Sequence, residues 1–242
     1  MLKRLVDIIL AFTGLLIFSP VLIVVAFLVW KHDKHSPFYI PPRVGKNEKI
    51  YYMVKMRSMV INADKSGVDS TSTNDNRVTK VGLFIRKFKL DEITQLWNVL
   101  LGDMSLVGPR PNVKRETDLY TAEEKKLLSV KPGITDISSI VFSDEGEILA
   151  PFEDPDLAYN QLIRPWKSRL GLLYIEKQSL ILDIYLIALT AMAIASKKSV
   201  LKKLPTLVRK LGASEQLIDV VKREKQLTPF PPPGSDQIVQ SR

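Results

Sequence analysis

Two adjacent carboxylates, Asp91 and Glu92, open the segment of this sequence with the clearest helical pattern. From Asp91 to Leu101 the apolar residues recur at three- and four-residue spacings, which predicts an amphipathic helix with Asp91, Gln95 and Asn98 on its polar face. The positive end of the helix dipole stabilises ionised carboxylates in a first turn. Such a pair can supply a nucleophile for covalent chemistry. The simpler alternative is a helix N-cap at Asp91 with a first-turn charge at Glu92.

Arg110 is a second residue suited to chemistry, because it stands between two prolines in the segment from Gly102 to Pro111. Two glycines and two prolines in these ten residues predict a constrained loop and exclude regular helix or a central strand. A planar guanidinium and exposed backbone N–H groups in such a loop suit phosphate oxygens. The alternative is a simple turn between helices, and Met104, Leu106 and Val107 would anchor the segment in either case.

The composition of the 242 residues removes several other chemistries. Cysteine is absent, which excludes thiolate zinc sites, iron–sulfur clusters and cysteine nucleophiles. The two histidines, His32 and His35, adjoin an apolar segment and are best placed at a membrane interface. Neither a G-x-G-x-x-G nor a P-loop motif is present. The net charge of +9 indicates an anionic partner: nucleic acid, a phosphorylated small molecule or an anionic membrane surface.

The N-terminal region predicts a membrane helix. Residues 8–30 carry no formal charge, and a straight helix of that length would measure about 35 Å. Ser19 and Pro20 stand in its middle, where proline should break or bend the helix and Ser19 can satisfy a freed backbone group. Lysines lie at both ends, so the positive-inside rule gives no orientation. These features leave a kinked span and a re-entrant hairpin equally open.

The positions of other elements follow from local patterns. Residues 49–56 predict a strand with Lys55 and Arg57 on one face, and residues 62–76 predict an exposed loop. Residues 137–142 and 147–150 predict a hairpin around Asp144, and Asp154 begins a helix. A basic and aromatic cluster that could meet substrate or lipid headgroups follows: Arg164, Trp166, Lys167 and Arg169.

The C-terminal region combines apolar, basic and proline-rich stretches. Residues 179–195 are apolar except for Asp183, and they predict an interfacial or buried helix more than a second span. A basic run typical of a segment on anionic lipid, or of a solvated helix face, follows: Lys197, Lys198, Lys202, Lys203, Arg209 and Lys210. Residues 228–234 are proline-rich and predict an unstructured tail.

Several of these motifs occur together in an order that resembles one family. They are Lys3-Arg-Leu-Val-Asp-Ile, the Ser19-Pro20 pair, Arg43-Val-Gly, Lys55-Met-Arg-Ser-Met, Arg77-Val-Thr-Lys-Val-Gly, Arg86, Leu90-Asp-Glu-Ile-Thr-Gln-Leu-Trp-Asn and Gly102-Asp-Met-Ser-Leu-Val-Gly-Pro-Arg-Pro. The sequence thereby resembles the bacterial sugar transferases, the monotopic polyprenyl-phosphate phosphoglycosyl transferases, in a short, minimal form.

The resemblance implies a reaction and its partners. A sugar-1-phosphate would pass from a nucleotide diphosphate sugar, usually a UDP-sugar, to undecaprenyl phosphate, with Mg²⁺ present and a nucleoside monophosphate released. Asp91 would be the nucleophile and Glu92 would help hold Mg²⁺. Because a diphosphate repels an anionic nucleophile until cations neutralise it, we expect that role for a set of basic residues. They are Lys55, Arg57, Arg77, Arg86 and Arg110.

The same resemblance implies an architecture. It favours the re-entrant hairpin, on the cytoplasmic face of the bacterial inner membrane, in contact with anionic lipid. We expect an α+β protein that is mostly helical with a small β element. Its parts would be the re-entrant helix (1–36), the catalytic domain (37–178), interfacial basic helices (179–212) and a C-terminal extension ending in disorder (213–242).

One departure and two rivals accompany this interpretation. After Pro132-Gly-Ile-Thr the sequence continues Asp-Ile-Ser-Ser-Ile-Val-Phe-Ser-Asp-Glu-Gly, where many family members have a Gly and an Ala-Gln-Val-Asn-Gly-Arg run, so the donor sugar is open. A silent membrane scaffold that binds nucleotide sugar or downstream glycosyltransferases is one rival. A nucleic-acid binder is the other, and it lacks any recognition module.

Overall fold

The computed structural model describes residues 2–66 and 75–241. Residues 67–74, part of the predicted loop at 62–76, lie outside the described residues. The described helices are α1 (Leu2–Asp33), α2 (Lys80–Lys87), α3 (Leu90–Ile93), α4 (Leu96–Leu101), α5 (Lys114–Thr117), α6 (Ile137–Val141), α7 (Glu145–Leu149), α8 (Pro155–Ala158), α9 (Arg164–Lys177), α10 (Leu180–Leu201), α11 (Leu204–Lys210) and α12 (Glu215–Lys222). The described strands are β1 (Phe38–Tyr39), β2 (Pro42–Val44), β3 (Ile50–Tyr52), β4 (Lys55–Met56), β5 (Ser105–Val107) and β6 (Gly133–Thr135). The predicted α+β class is confirmed.

The strands of the described region form three separate pairs. β1 pairs with β4 and β2 pairs with β3, both antiparallel, with Arg43 opposite Tyr51 in the second pair. β5 and β6 run parallel, with Ser105 opposite Gly133. The strand predicted at residues 49–56 is therefore present as two short strands, and each finds a different partner.

β5 corrects the loop predicted from Gly102 to Pro111. Its residues are buried, and the Gly108 N–H donates to the carbonyl of Thr135 at 3.0 Å, so the backbone donors there are not exposed. The buried side chains of Leu106 and Val107 favour pairing over an open loop. Arg110 lies beyond β5, in loop as predicted.

Gly133 and Gly108 bring the two strands unusually close. A Cβ on Gly133 would lie 2.1 Å from the Gly108 nitrogen. We expect Gly133→Ala to destabilise the protein by at least about 2 kcal/mol, because the strand leading to Arg110 must move aside. Thermal unfolding in detergent should show a fall of roughly 4–8 °C in Tm. An unchanged Tm would show that the backbone relaxes freely here.

The main core lies where α6, α9 and α10 pack together, with Ile137, Leu170, Tyr174 and Leu186 almost fully buried. A smaller cluster joins α1 to β4, α2 and α3 and consists of Val25, Val29, Met56, Ile85 and Leu90. The apolar N-terminal helix is thus packed onto the same body that carries the Asp91-Glu92 pair.

α1 is a single helix of 32 residues with Pro20 inside it. Helical secondary structure continues through Ser19 and Pro20, and the bend expected at Pro20 stays a prediction. Proline leaves the carbonyl four residues earlier, on Leu16, without its usual donor. The Ser19 hydroxyl donates to that carbonyl at 2.9 Å, which confirms the predicted part of Ser19 and explains why helix continues.

Both ends of α1 are attached to the folded body. Near its start, the Ser105 hydroxyl and the Leu106 N–H donate to the buried carboxylate of Asp7 at 2.8 and 3.1 Å. Near its end, Arg57 donates through its Nη2 atom to Asp33 at 2.7 Å. Between these attachments α1 exposes many large apolar side chains, including Phe12 and Ile17.

α10 is half buried. Leu182, Leu186 and Leu189 face the core, whereas Ile181 and Ile194 are exposed. Asp183 does not interrupt the helix. It is buried, accepts a hydrogen bond from the Tyr174 hydroxyl at 2.6 Å and pairs with Lys3 at 2.6 Å. Both α1 and α10 are long and apolar enough to cross a membrane.

Residues 137–150 form α6 and α7, so the hairpin predicted around Asp144 is wrong. The Ser139 N–H donates to the Asp136 carboxylate at 2.7 Å, and the Asp136 N–H donates to the Ser139 hydroxyl at 2.9 Å. This reciprocal capping box starts a helix and outweighs the strand propensity of the isoleucines and valine. The helix start at Asp154 is confirmed, since its carboxylate accepts from Leu157 N–H at 2.9 Å.

The C-terminal tail is packed on the body, which corrects the predicted disorder. The Phe230 ring stacks on Trp166 with centroids 4.4 Å apart, and Arg169 donates to the Pro231 carbonyl at 3.0 Å. Gln161 donates to the carbonyl of Val239 at 2.7 Å. Burial of an aromatic pair offsets the low propensity of a proline-rich stretch for regular structure.

Candidate active site

Asp91 and Glu92 line a cavity of about 570 Å³, within the size range of small-molecule sites. They lie in the first turn of α3, as predicted. The residue before α3 is Lys89, which has a left-handed backbone (φ 55°), so Asp91 is not an N-cap and the simpler alternative is wrong. The Asp91 Oδ1 atom is buried and accepts no hydrogen bond from any residue in the described ranges.

Lys55 and Arg86 bring positive charge to Asp91. The Lys55 Nζ atom lies 3.7 Å from Asp91 Oδ2, on a side chain that is largely buried. Burial lowers the pKa of Lys55, against the opposing charge of Asp91. Arg86 lines the same cavity and donates to the Ser58 hydroxyl at 3.0 Å, and burial lowers its pKa as well. Two cations are therefore held beside one carboxylate.

Arg110 and Glu92 form the second charged pair of the cavity, with Nη1 and Oε1 3.3 Å apart. Burial acts to raise the pKa of Glu92, but the charges of Arg110, Lys89 and Lys55 together hold it below its ordinary value. Burial lowers the pKa of Arg110, yet the carboxylates of Glu92, Glu145 and Asp91 raise it overall. Both members stay ionised, and Arg110 remains partly exposed to the cavity.

Arg57 and Arg77 are not among the residues that line the cavity, and their predicted part in neutralising a phosphate stays a prediction. Arg57 is bound to Asp33 at the end of α1. Arg77 donates to Asp75 at 2.6 Å. Each of these arginines is paired with a nearby carboxylate, Asp33 for Arg57 and Asp75 for Arg77.

Gln95 and Asn98 differ in their roles. Gln95 lines the cavity and is buried. Asn98 lies outside the cavity, where its amide donates to the Tyr52 carbonyl at 2.7 Å and accepts from the Val54 N–H at 2.8 Å. It therefore fixes the chain on either side of Met53, just before Lys55. The predicted single helix is interrupted at Thr94 and Gln95, which separate α3 from α4.

Charged or aromatic cavity residues that were not predicted as site residues include Arg43, Glu145, Tyr159 and Lys167. Lys167 belongs to the basic and aromatic cluster identified in the sequence. The other members have partners outside the cavity: Arg164 is buried against Glu124, Trp166 stacks on Phe230 and Arg169 donates to the Pro231 carbonyl. Arg43 could have been found from its motif. Glu145 and Tyr159 gave no local signal, because only the packing of α7 and of the segment after α8 brings them to the cavity.

The comparisons with known proteins agree with this geometry. The sequence profile described as bacterial sugar transferase matches residues 1–197. The chain belongs to the bacterial sugar transferase family. The match includes the N-terminal helix, the Asp91-Glu92 pair and Arg110, and it ends within α10.

Individual relatives of the family match over shorter stretches. A Haemophilus influenzae protein named an uncharacterized sugar transferase is 40% identical over 149 residues, which are 55% of this chain and 31% of the relative. A Bacillus subtilis protein named for undecaprenyl-phosphate N-acetylgalactosaminyl 1-phosphate transfer is 41% identical over 134 residues, 55% of this chain and 71% of the relative. A Klebsiella pneumoniae UDP-glucose:undecaprenyl-phosphate glucose-1-phosphate transferase is 35% identical over 192 residues, 78% of this chain and 39% of the relative. The chain thus spans well under half of the Haemophilus and Klebsiella proteins.

Proposed function

We propose that this protein transfers a sugar-1-phosphate from a UDP-sugar to undecaprenyl phosphate, with release of UMP, in the first membrane step of a surface glycan. The observation that carries the proposal is the Asp91 carboxylate, which lies in a cavity with Lys55, Arg86 and Arg110 and has one oxygen without a hydrogen-bond partner among the described residues. A pocket that combines an available carboxylate with fixed cations suits phosphoryl transfer.

The first step forms a covalent intermediate. An Asp91 oxygen attacks the phosphorus that carries the sugar, and a new O–P bond forms. The bond from that phosphorus to the bridging oxygen breaks, and UMP leaves with the electron pair. Lys55, Arg86 and Arg110 neutralise the diphosphate. Without these cations, the negative charge of the diphosphate would repel the Asp91 carboxylate.

The second step returns the enzyme to its starting state. A phosphate oxygen of undecaprenyl phosphate attacks the phosphorus of the aspartyl phosphosugar. The O–P bond to Asp91 breaks and the carboxylate leaves with the electron pair. The product is a sugar joined to the lipid by a diphosphate, and no proton needs to be stored on the protein.

Asp91 and Glu92 would hold the Mg²⁺ that the family resemblance implies. Mg²⁺ is usually bound in proteins by one or two carboxylates together with substrate phosphates. The unpartnered Oδ1 of Asp91 and the ionised Glu92 fit that requirement. The described residues contain no cluster of three or more acidic or histidine side chains, so the substrate phosphates would complete the coordination. The ion would supply charge neutralisation at the diphosphate.

The metal role of Glu92 gives a prediction. We expect Glu92→Gln to shift the Mg²⁺ dependence of UMP release to concentrations about tenfold higher, because one anionic ligand becomes neutral. The measurement is a Mg²⁺ titration at saturating donor, beside Glu123→Gln on the protein surface. A titration curve equal to that of the control would contradict the metal role.

The membrane arrangement that we propose is a re-entrant α1 on the cytoplasmic face of the bacterial inner membrane. It is supported by the attachment of both Asp7 and Asp33 to the folded body, since a straight span would carry one end of α1 to the opposite side. The exposed apolar side chains between them would enter the bilayer. The exposed face of α10 and the basic residues from Lys198 to Lys210 would lie on anionic lipid.

A direct test uses the purified full chain in detergent with undecaprenyl phosphate, Mg²⁺ and a panel of UDP-sugars. We expect UMP release that requires the lipid and the metal, together with a lipid-linked sugar diphosphate. The panel contains hexoses, acetamido sugars and deoxy sugars. If the protein binds donor but releases UMP from no member of the panel, the result contradicts the proposal and favours a silent scaffold. Release would also identify the donor sugar.

A further inference from the structure

One wall of the cavity carries a charged pair that the proposed reaction does not use. Glu145 in the first turn of α7 and Lys167 on α9 both line the cavity, and the Lys167 ammonium donates to Glu145 Oε2. The Lys167 side chain is 13% exposed and that of Glu145 is 30% exposed, so the carboxylate is the more open member. A half-open ion pair keeps free lone pairs and free N–H donors for a ligand.

The Glu145–Lys167 pair has an aromatic and a cationic neighbour among the cavity residues. The Lys167 Nζ atom lies 5.2 Å from the centroid of the Tyr159 ring, which fixes the ammonium from one side. Glu145 is close enough to Arg110 for its charge to raise the pKa of that guanidinium. Arg110, Glu145 and Lys167 line the same cavity, so one ligand there can contact all three side chains.

Residues from the C-terminal part of the chain contact the segment that leads into Glu145 at the start of α7. Asp144 lies 3.0 Å from the Lys197 ammonium and 3.2 Å from the Arg223 guanidinium. Arg223 also lies over the Phe142 ring, 5.3 Å from its centroid. These contacts fix residues 142–145 before any ligand arrives. Arg223 comes after residue 197, where the family match ends.

A carboxylate beside an ammonium is complementary to two neighbouring hydroxyl groups. The carboxylate accepts from both O–H groups, and the ammonium donates to a hydroxyl oxygen. A phosphate fits this place less well, because the Glu145 carboxylate repels it, whereas Lys55 and Arg86 bring positive charge to the part of the cavity around Asp91. We propose that the Glu145–Lys167 pair is a subsite that binds a vicinal diol of the nucleotide sugar. This inference rests on the proposed function.

Two parts of the donor carry such a diol, the ribose and the sugar that is transferred. The test therefore compares Glu145→Gln and Lys167→Met with wild type on three donors. These are the accepted UDP-sugar, its 2′-deoxyuridine analogue and an analogue deoxygenated on the transferred sugar. Lys126→Met is the matched control, since Lys126 forms an exposed pair with Glu123 outside the cavity.

With the natural donor we expect each cavity variant to raise KM about tenfold or more, with kcat changed less than threefold, because binding hydrogen bonds to charged groups are lost away from the reacting atoms. Lys126→Met should match wild type. One of the two deoxy donors should abolish the difference between Glu145→Gln and wild type, and that donor identifies the bound diol. Thermal unfolding of both variants shows that they are folded.

Donor dissociation constants, measured by calorimetry in an Asp91→Asn background, keep this test separate from turnover. Equal constants for Glu145→Gln and Lys126→Met would overturn the subsite, even if the wild type releases UMP. A tenfold weakening that persists with both deoxy donors would overturn the diol assignment. A third outcome is that wild type releases no UMP, while Glu145→Gln still weakens donor binding and this weakening disappears with one deoxy donor. That outcome would overturn the proposed reaction and leave the subsite supported.

Discussion

Asp91→Asn is expected to lower the rate of UMP release by roughly 10³-fold or more while donor binding stays within a few fold of wild type. The amide occupies nearly the same volume in the first turn of α3, so the fold should be kept. The amide is not a nucleophile toward phosphorus. It would place a neutral group beside the Lys55 ammonium, where the wild-type carboxylate has one oxygen that accepts no hydrogen bond from the described residues. Initial rates of UMP release and donor binding by calorimetry provide the measurement.

The control for this variant is Asp118→Asn. Asp118 is exposed, pairs with Lys114 at 2.6 Å and lies outside the cavity. It should retain the wild-type rate. Turnover by Asp91→Asn within tenfold of this control would mean that another group attacks the phosphorus, and the covalent mechanism would have to be abandoned.

Arg110→Met is expected to lower kcat/KM by about 10²–10³-fold, whereas Arg110→Lys should recover part of that loss. Arg110 pairs with Glu92 at 3.3 Å and remains partly open to the cavity. Its guanidinium can therefore release the Glu92 carboxylate and bind a substrate phosphate instead. A lysine supplies the charge but not the planar fork. Steady-state kinetics with varied donor concentration provide the measurement.

Arg209→Met is the matched control, because Arg209 forms an exposed pair with Glu215 at 3.1 Å on α11. It should leave kcat/KM unchanged. If kcat/KM of Arg110→Met equals that of Arg209→Met, other cations of the cavity neutralise the diphosphate without Arg110. If Arg110→Lys is as poor as Arg110→Met, the geometry of the fork matters more than the charge.

The clustering of Asp91, Glu92, Lys55, Arg86 and Arg110 could be predicted from the sequence because each residue lies in a motif of the family. The position of Arg57 and Arg77 outside the set of cavity-lining residues has a physical origin. A basic residue in a motif does not reveal its partner, and both arginines are taken up by carboxylates of their own surroundings. The Asp75 partner lies two residues before Arg77 and could have been noticed.

Secondary structure was predictable where the signal is local and failed where packing decides it. The first turn of α3 and the Asp154 cap are local features, and both predictions were confirmed. α6 is stabilised by a reciprocal cap at Asp136 and Ser139 that the isoleucine-rich sequence obscured. In the tail beyond α12, Phe230 stacks on Trp166, which lies about 60 residues earlier in the chain. The composition of the tail alone does not indicate that contact.

The most direct test of the central claim is mass spectrometry of the full chain after incubation with Mg²⁺ and the accepted UDP-sugar, without undecaprenyl phosphate. The covalent mechanism predicts a mass increase of one sugar phosphate less water, located on the peptide with Asp91 and absent from Asp91→Asn. The increase should disappear when undecaprenyl phosphate is added. Turnover in the presence of lipid with no adduct on Asp91, after rapid acid quenching at several times, would contradict the claim and require direct attack of the lipid phosphate on the donor.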